Sequence, residues 1–136
     1  MGQPAARQGD HITASDIHIV LVPYPPGQPV PNSLPHPFDG VLAENLSADV
    51  RIDGKAAATV GSSATNNPPH MPTPPGISFT MPPTNKGVIM AGSTSVRING
   101  KAAARVGDQV QTCQEPAPNV SGQIVLSGPC TVLIGG

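Results

Sequence analysis

Four side chains with soft or borderline donor atoms stand out along this 136-residue chain, three of them in comparable places. His18 comes eight residues after Asp10, His70 eight after Ser62, and Cys113 five after Asp108. His36 lies in Leu34-Pro-His-Pro-Phe38, just ahead of an apolar segment. One thiolate and three imidazoles form a donor set suited to tetrahedral Zn2+. Four protein ligands leave no open position for water, so a zinc held this way is structural and not catalytic. A lone His is usually a solvated side chain, and it is the matched placement that groups these residues. His11 directly follows Asp10 and reads as a solvated or hydrogen-bonding turn residue. Cys130 lies in Pro129-Cys-Thr-Val, where a buried structural thiol is the better reading. No Ser/His/Asp order or paired-carboxylate motif stands out, and acids in the loops are sparse: Asp16, Asp39, Glu44 and Glu115. The chain is therefore not expected to be an enzyme. A small zinc-dependent hydrolase, which needs an open ligand position and a nearby general base, is the weaker alternative.

The placements match because the chain repeats. Residues 50–61 read VRIDGKAAATVG and residues 96–107 read VRINGKAAARVG, differing only at Asp53/Asn99 and Thr59/Arg105. Such repeats set the architecture. A third copy is split between the termini. Residues 131–136 (TVLIGG) form its first half and residues 3–10 (QPAARQGD) its second. The simplest fold closes three units in a ring with the two ends adjacent. Each unit reads as two short strands joined by a tight turn, as in Val88-Ile-Met-Ala followed by Ser95-Val-Arg-Ile. Asn99-Gly100 and Asp53-Gly54 are strong hairpin signals, and Gly135-Gly136 ends the third unit. The Ala-rich return segment reads as a strand, because four or five residues between Gly signals are too few for a helix.

Between the units lie Pro-rich stretches, read as long loops over residues 19–38 and 63–86 and a shorter one over 109–122. If the units form a ring, these stretches leave from equivalent positions and meet on one side. The expected fold class is all-β, a small arrangement of three pseudo-threefold hairpin repeats in one domain, residues 1–136. Eighteen Pro and fifteen Gly argue against a helical protein. With no Trp, two Phe and one Tyr, the core must be small and built from aliphatic side chains. A small core calls for reinforcement by a metal, a disulfide or a partner. Net charge is −1, and no basic run or aromatic platform suggests nucleic-acid binding. No stretch approaches transmembrane length, and no signal peptide is visible, which points to synthesis in the cytoplasm.

These residues resemble a known family. Pro4-Ala-Ala-Arg7-Gln-Gly-Asp10, Gly54-Lys-Ala-Ala-Ala58 and Gly100-Lys-Ala-Ala-Ala-Arg105-Val-Gly-Asp108 are similar to the signature of PAAR-repeat proteins. Ser62 in place of Asp, Lys-Ala in place of Pro in two signatures, and the long loops depart from that pattern. The resemblance implies a cone of β-hairpins whose base sits on a trimeric VgrG-type spike of a type VI secretion or related contractile injection machine. It also implies an apical structural zinc held by His18, His36, His70 and Cys113. The implied function is mechanical: a rigid tip for membrane puncture, delivered outside the cell or into a target cell. The alternative is an adaptor that loads a separate effector on the spike. Pseudo-threefold repeats would let one chain match a symmetric trimer. The first strands, around Val41, Val88 and Ile124, are the expected partner-binding positions, by edge addition to spike strands.

Overall fold

The computed structural model describes residues 2–136, and among them there is no helix. In chain order the strands are β1 (Gln3–Pro4), β2 (His11–Val22), β3 (Val30–Glu44), β4 (Arg51–Ile52), β5 (Lys55–Ala56), β6 (Ser63–Asn66) and β7 (Ser78–Phe79). They continue with β8 (Lys86–Ile89), β9 (Arg97–Ile98), β10 (Lys101–Ala102), β11 (Val110–Thr112), β12 (Asn119–Val125) and β13 (Leu133–Ile134). Six of them form a closed sheet in the order β12-β11-β8-β6-β3-β2, with β12 pairing back onto β2. The short β7 attaches to the far end of β2.

Beneath the closed sheet lie three two-stranded ladders: β4–β5, β9–β10 and β1–β13. The first two turn at Asp53-Gly54 and Asn99-Gly100, whose φ values of 51°, 81°, 52° and 79° are all left-handed. Two successive positive φ angles match the right-handed twist of the flanking strands, which is why Asx-Gly pairs serve there. In the third ladder Gln3 faces Ile134 and Pro4 faces Leu133, so the two ends of the chain lie side by side as expected.

The Ala-rich return segments link the ladders in a closed circuit. Isolated bridges join Ala5 to Arg105, Arg7 to Ala57 and Thr59 to Ala103. At the centre Ala6 N donates to Ala104 O (3.0 Å), Ala104 N to Ala58 O (3.1 Å) and Ala58 N to Ala6 O (3.0 Å). All three alanines are essentially fully buried. Three backbones can meet this closely only if the side chains at the meeting point are small. Above this ring an apolar cluster gathers Ile12, Ala64 and Val110 with Leu42, Ile89 and Ile124, capped by Phe38. Below it Ile52, Ile98 and Ile134 pack on Ala5, Ala57 and Ala103.

Two expectations need correction. Residues 19–38 are not a loop, because β2 runs on to Val22 and β3 starts at Val30, pairing without a break from Val22–Val30 to His11–Val41. The prolines that suggest a loop, Pro31, Pro35 and Pro37, all have the same parity. Asp39, in the same register, directs its N–H away from β2 to Asn66 Oδ1 (2.8 Å). The three proline nitrogens therefore face away from β2, where a missing N–H breaks no ladder bond. The second correction concerns edge addition. Val41 already pairs with His11 and Thr65, and Val88 with Ser63 and Gln111. Ile124 pairs with Ile12, and its side chain is buried. Because the sheet closes on itself, Val41 and Val88 present no free edge to a partner.

Candidate metal centre

The long β2–β3 hairpin rises past the apolar cluster, and its inward face follows the period of two that a strand imposes. On β2, Ile12, Asp16, His18 and Val20 point inward; on β3, His36, Phe38, Gly40 and Leu42 do. Asp16 lies directly opposite His36 in the register. His70 arrives from the segment after β6, and Cys113 follows β11. The four sequence-selected residues thus converge, and His11 stays apart, with its Nδ1 2.6 Å from Asp39 Oδ1 at the surface. Cys130 is remote, half-buried, with its thiol directed at Ala5 O and Val132 O.

The ring centroids of His18, His36 and His70 are 4.9, 5.4 and 5.7 Å apart. Three imidazoles bound to one tetrahedral ion at the usual Zn–N length have centroids separated by about 5 Å. Each ring is also tied down at Nδ1: His18 by Glu115 Oε1 (3.3 Å), His36 by Leu34 O (2.9 Å) and His70 by Asn66 Nδ2 (3.2 Å). At His18 and His36 the outer partner is an acceptor, so Nδ1 donates and the lone pair lies on Nε2, as in metal-ligating His residues. At His70 the Asn66 amide donates to Nδ1 and the proton lies on Nε2, toward Asp16. Cys113 Sγ lies 3.5 Å from His18 Nε2. The two phenylalanines of the chain bracket the group: Phe38 meets His70 from below, and Phe79 stacks against His18 and His36 from above.

A carboxylate not singled out as a ligand in the sequence also belongs to the cluster. Asp16 is fully buried, and its Oδ2 lies 3.4 Å from His70 Nε2 and 3.6 Å from Cys113 Sγ. Donor atoms of Asp16, His18, His70 and Cys113 all fall within 4.8 Å of one another, a group that could hold a metal ion. His36 lies outside that set, and its Nε2 accepts the Thr73 N–H at 3.1 Å. Thr112 Oγ1 (2.6 Å) and Asn119 Nδ2 (2.9 Å) donate to Asp16 Oδ1 and fix the carboxylate. The sequence signal for Asp16 is its position two residues before His18, the same face of an alternating strand.

The electrostatics favour a cation. Burial alone raises Asp16, yet hydrogen bonds from His70, Thr112, Asn119 and Cys113 hold its carboxyl below the usual range. Burial likewise lowers His70, but its contacts with Asp16 and Cys113 outweigh that and bring it up to about 9. His36 is lowered, chiefly by burial and also by the neighbouring imidazoles, against an opposing contribution from Leu34 O. His36 is thus a neutral imidazole at neutral pH, the form that binds metal. A cleft of about 280 Å3, lined by His18, Met81, Lys86, Cys113 and Glu115 among others, opens the cluster to solvent on one side.

Comparison with known families places a PAAR motif over residues 80–136, the stretch that spans β8 to β13. Comparison with curated proteins gives no match.

Proposed function

We propose, from the PAAR motif matched over residues 80–136, that this chain is a PAAR-repeat protein and a structural spike tip. It caps the end of a trimeric VgrG-type spike in a contractile injection machine and keeps the point rigid for membrane puncture. The observation that carries this reading is the PAAR motif, in a chain whose three hairpin ladders are joined pairwise by backbone bridges. A closed circuit of three ladders offers three comparable faces to a threefold partner, a match that an asymmetric monomer lacks. The ladders would form the docking base, in place of the sheet positions around Val41, Val88 and Ile124. Synthesis in the cytoplasm and delivery with the spike belong to the same proposal.

At the opposite end a zinc ion would be held by His18, His36, His70 and Cys113. The triangle of imidazoles and the acceptors at Nδ1 of His18 and His36 support this set. Zinc would cross-link β2, β3 and the segments after β6 and β11, which converts binding free energy into stability of the apex. Asp16 would balance charge, since one thiolate and one carboxylate neutralise a divalent ion in a buried site. A second reading puts Asp16 in the place of His36, favoured by the 3.4 and 3.6 Å spacings and by the Thr73 N–H on His36.

Native mass spectrometry of the chain mixed with the spike trimer tests the docking reading; one chain per trimer is expected, and absence of any complex refutes it. Elemental analysis tests the site. One zinc per chain is expected, lost in His18→Ala, His70→Ala and Cys113→Ala and kept in His11→Ala. Cobalt substitution decides the fourth ligand. His36→Ala should abolish the four-coordinate absorption, while Asp16→Asn should keep its shape and weaken affinity. The reverse pattern would make Asp16 the ligand.

A further inference from the structure

The chain has seven Lys and Arg and eight Asp and Glu, and the structure places seven of the acids but only three of the Lys and Arg in ion pairs. Arg7 pairs with Asp10 and Asp53, Arg105 with Asp108, and Lys86 with Glu44. Asp39 faces His11, and Asp16 and Glu115 face the histidine cluster. Four cations are left with no ion pair among the described residues: Arg51, Lys55, Arg97 and Lys101. All four are exposed, and all four lie on two of the three base ladders. Each arginine bonds only the carbonyl of its own turn, Gly54 or Gly100, at 3.3 Å. The nearby acids are already engaged. Asp53 accepts from Arg7 and Thr131, and Asp49 accepts from Asn99.

The third ladder breaks the pattern at the same two register positions. Arg51 pairs with Ala56 and Arg97 with Ala102, where the third ladder pairs Leu133 with Pro4. Ile52 pairs with Lys55 and Ile98 with Lys101, where the third pairs Ile134 with Gln3. Leu133 is 64% exposed, an aliphatic side chain where the other two ladders present a guanidinium.

We propose that the base of this protein docks on a protein surface bearing clustered carboxylates, through Arg51, Lys55, Arg97 and Lys101, with the third ladder adding no charge. This rests on the spike-tip reading and adds to it the chemistry of the partner's end face. Uncompensated cations on two of the three base ladders steer an acidic partner and disfavour a basic one. The excess is confined to the base, in a chain with a net charge of −1, so it is not a general property of the surface.

The test measures binding of the spike trimer at about 50 and about 500 mM salt, a range over which exposed charge pairs become screened. The proteins are wild type, a variant with Arg51, Lys55, Arg97 and Lys101 each changed to Gln, and Gln3→Lys/Leu133→Arg. Wild type is expected to weaken about tenfold or more across that range. The quadruple variant should bind weakly and independently of salt, with zinc content and melting temperature unchanged. The Gln3→Lys/Leu133→Arg variant copies the basic pair onto the third ladder and should tighten binding at low salt. Salt-insensitive binding that the quadruple variant retains overturns the charged docking surface and leaves the spike-tip reading standing. Absence of binding by wild type at both salts overturns the spike-tip reading and this proposal with it. Vesicles of zwitterionic lipid with about one-fifth anionic lipid serve as the competing probe. Capture by those vesicles in place of the trimer, lost in the quadruple variant, would assign the patch to lipid and overturn the protein partner.

Discussion

Ser62 stands where the other two units carry Asp10 and Asp108, and the reason lies three residues upstream. Asp10 Oδ2 accepts the Arg7 N–H (3.0 Å) and sits 3.4 Å from Arg7 Nε, while Asp108 accepts the Arg105 N–H (2.7 Å) and two further bonds from its guanidinium. The middle unit has Thr59 in place of Arg, so no buried cation calls for a carboxylate. Ser62 Oγ still accepts the Thr59 N–H (3.0 Å) and donates to Asn45 O (2.8 Å). The arginines do a second job, because each reaches a neighbouring ladder: Arg7 the turn at Asp53 and Arg105 the chain end at Gly135 O. Thr59 is too short to reach the Asn99 turn, which is held instead by Ser47 and Asp49. Ser62→Asp alone should therefore bury an unpaired carboxylate against Asn45 O and cost about 1–3 kcal/mol. Adding Thr59→Arg should recover much of that loss, with Asn99 as the turn it reaches. Urea unfolding of the two single variants and the double gives the coupling; additive losses would mean that the two positions do not form a unit.

At the scale of the element, the turns were legible and the long hairpin was not. Asx-Gly pairs announce two successive left-handed residues, and the structure has them at 53–54 and 99–100. The β2–β3 hairpin is hidden in the sequence because proline is a loop marker by composition, whereas only its parity matters on a strand with one free side. Pro31, Pro35 and Pro37 share a parity that spares every bond to β2. The Ala-rich segments were legible as short extended pieces, but their reason for being Ala appears only in three dimensions. Ala6, Ala58 and Ala104 exchange backbone hydrogen bonds in a closed triangle with no room for a larger side chain. Ala58→Val should force those backbones apart and cost about 1–3 kcal/mol. Ala56→Val, two residues away on a half-buried position of β5, should change stability by less than about 0.5 kcal/mol. Equal effects in thermal unfolding of the two variants would show that the ring is not where packing is tight.

At the scale of the whole molecule, the repeat register was enough to group His18, His70 and Cys113, because the segments that carry them leave the ring from equivalent positions. Asp16 and Glu115 read only as sparse loop acids, and Asn66 and Thr112 carry no signal at all, since each acts through contacts that only the folded chain makes. The assembled molecule divides its stability between two ends. The base rests on the alanine ring and the isoleucines beneath it, which need no ion. The apex has two phenylalanines and a set of polar groups around the histidines, so it depends far more on a cross-link. An ion bound about a thousandfold above its dissociation constant adds about 4 kcal/mol, which in a domain of this size is worth roughly 10–20 °C in melting temperature. Chelation should remove that increment without unfolding the base. Hydrogen exchange then locates the loss. The amides of Thr73, bonded to His36, and Glu115, bonded to Ile17 O, should exchange faster, while those of Ala6, Ala58 and Ala104 keep their protection. Uniform loss of protection would instead mean that apex and base unfold as one cooperative unit, and that the ion stabilises the ring through the shared strands β2 and β3.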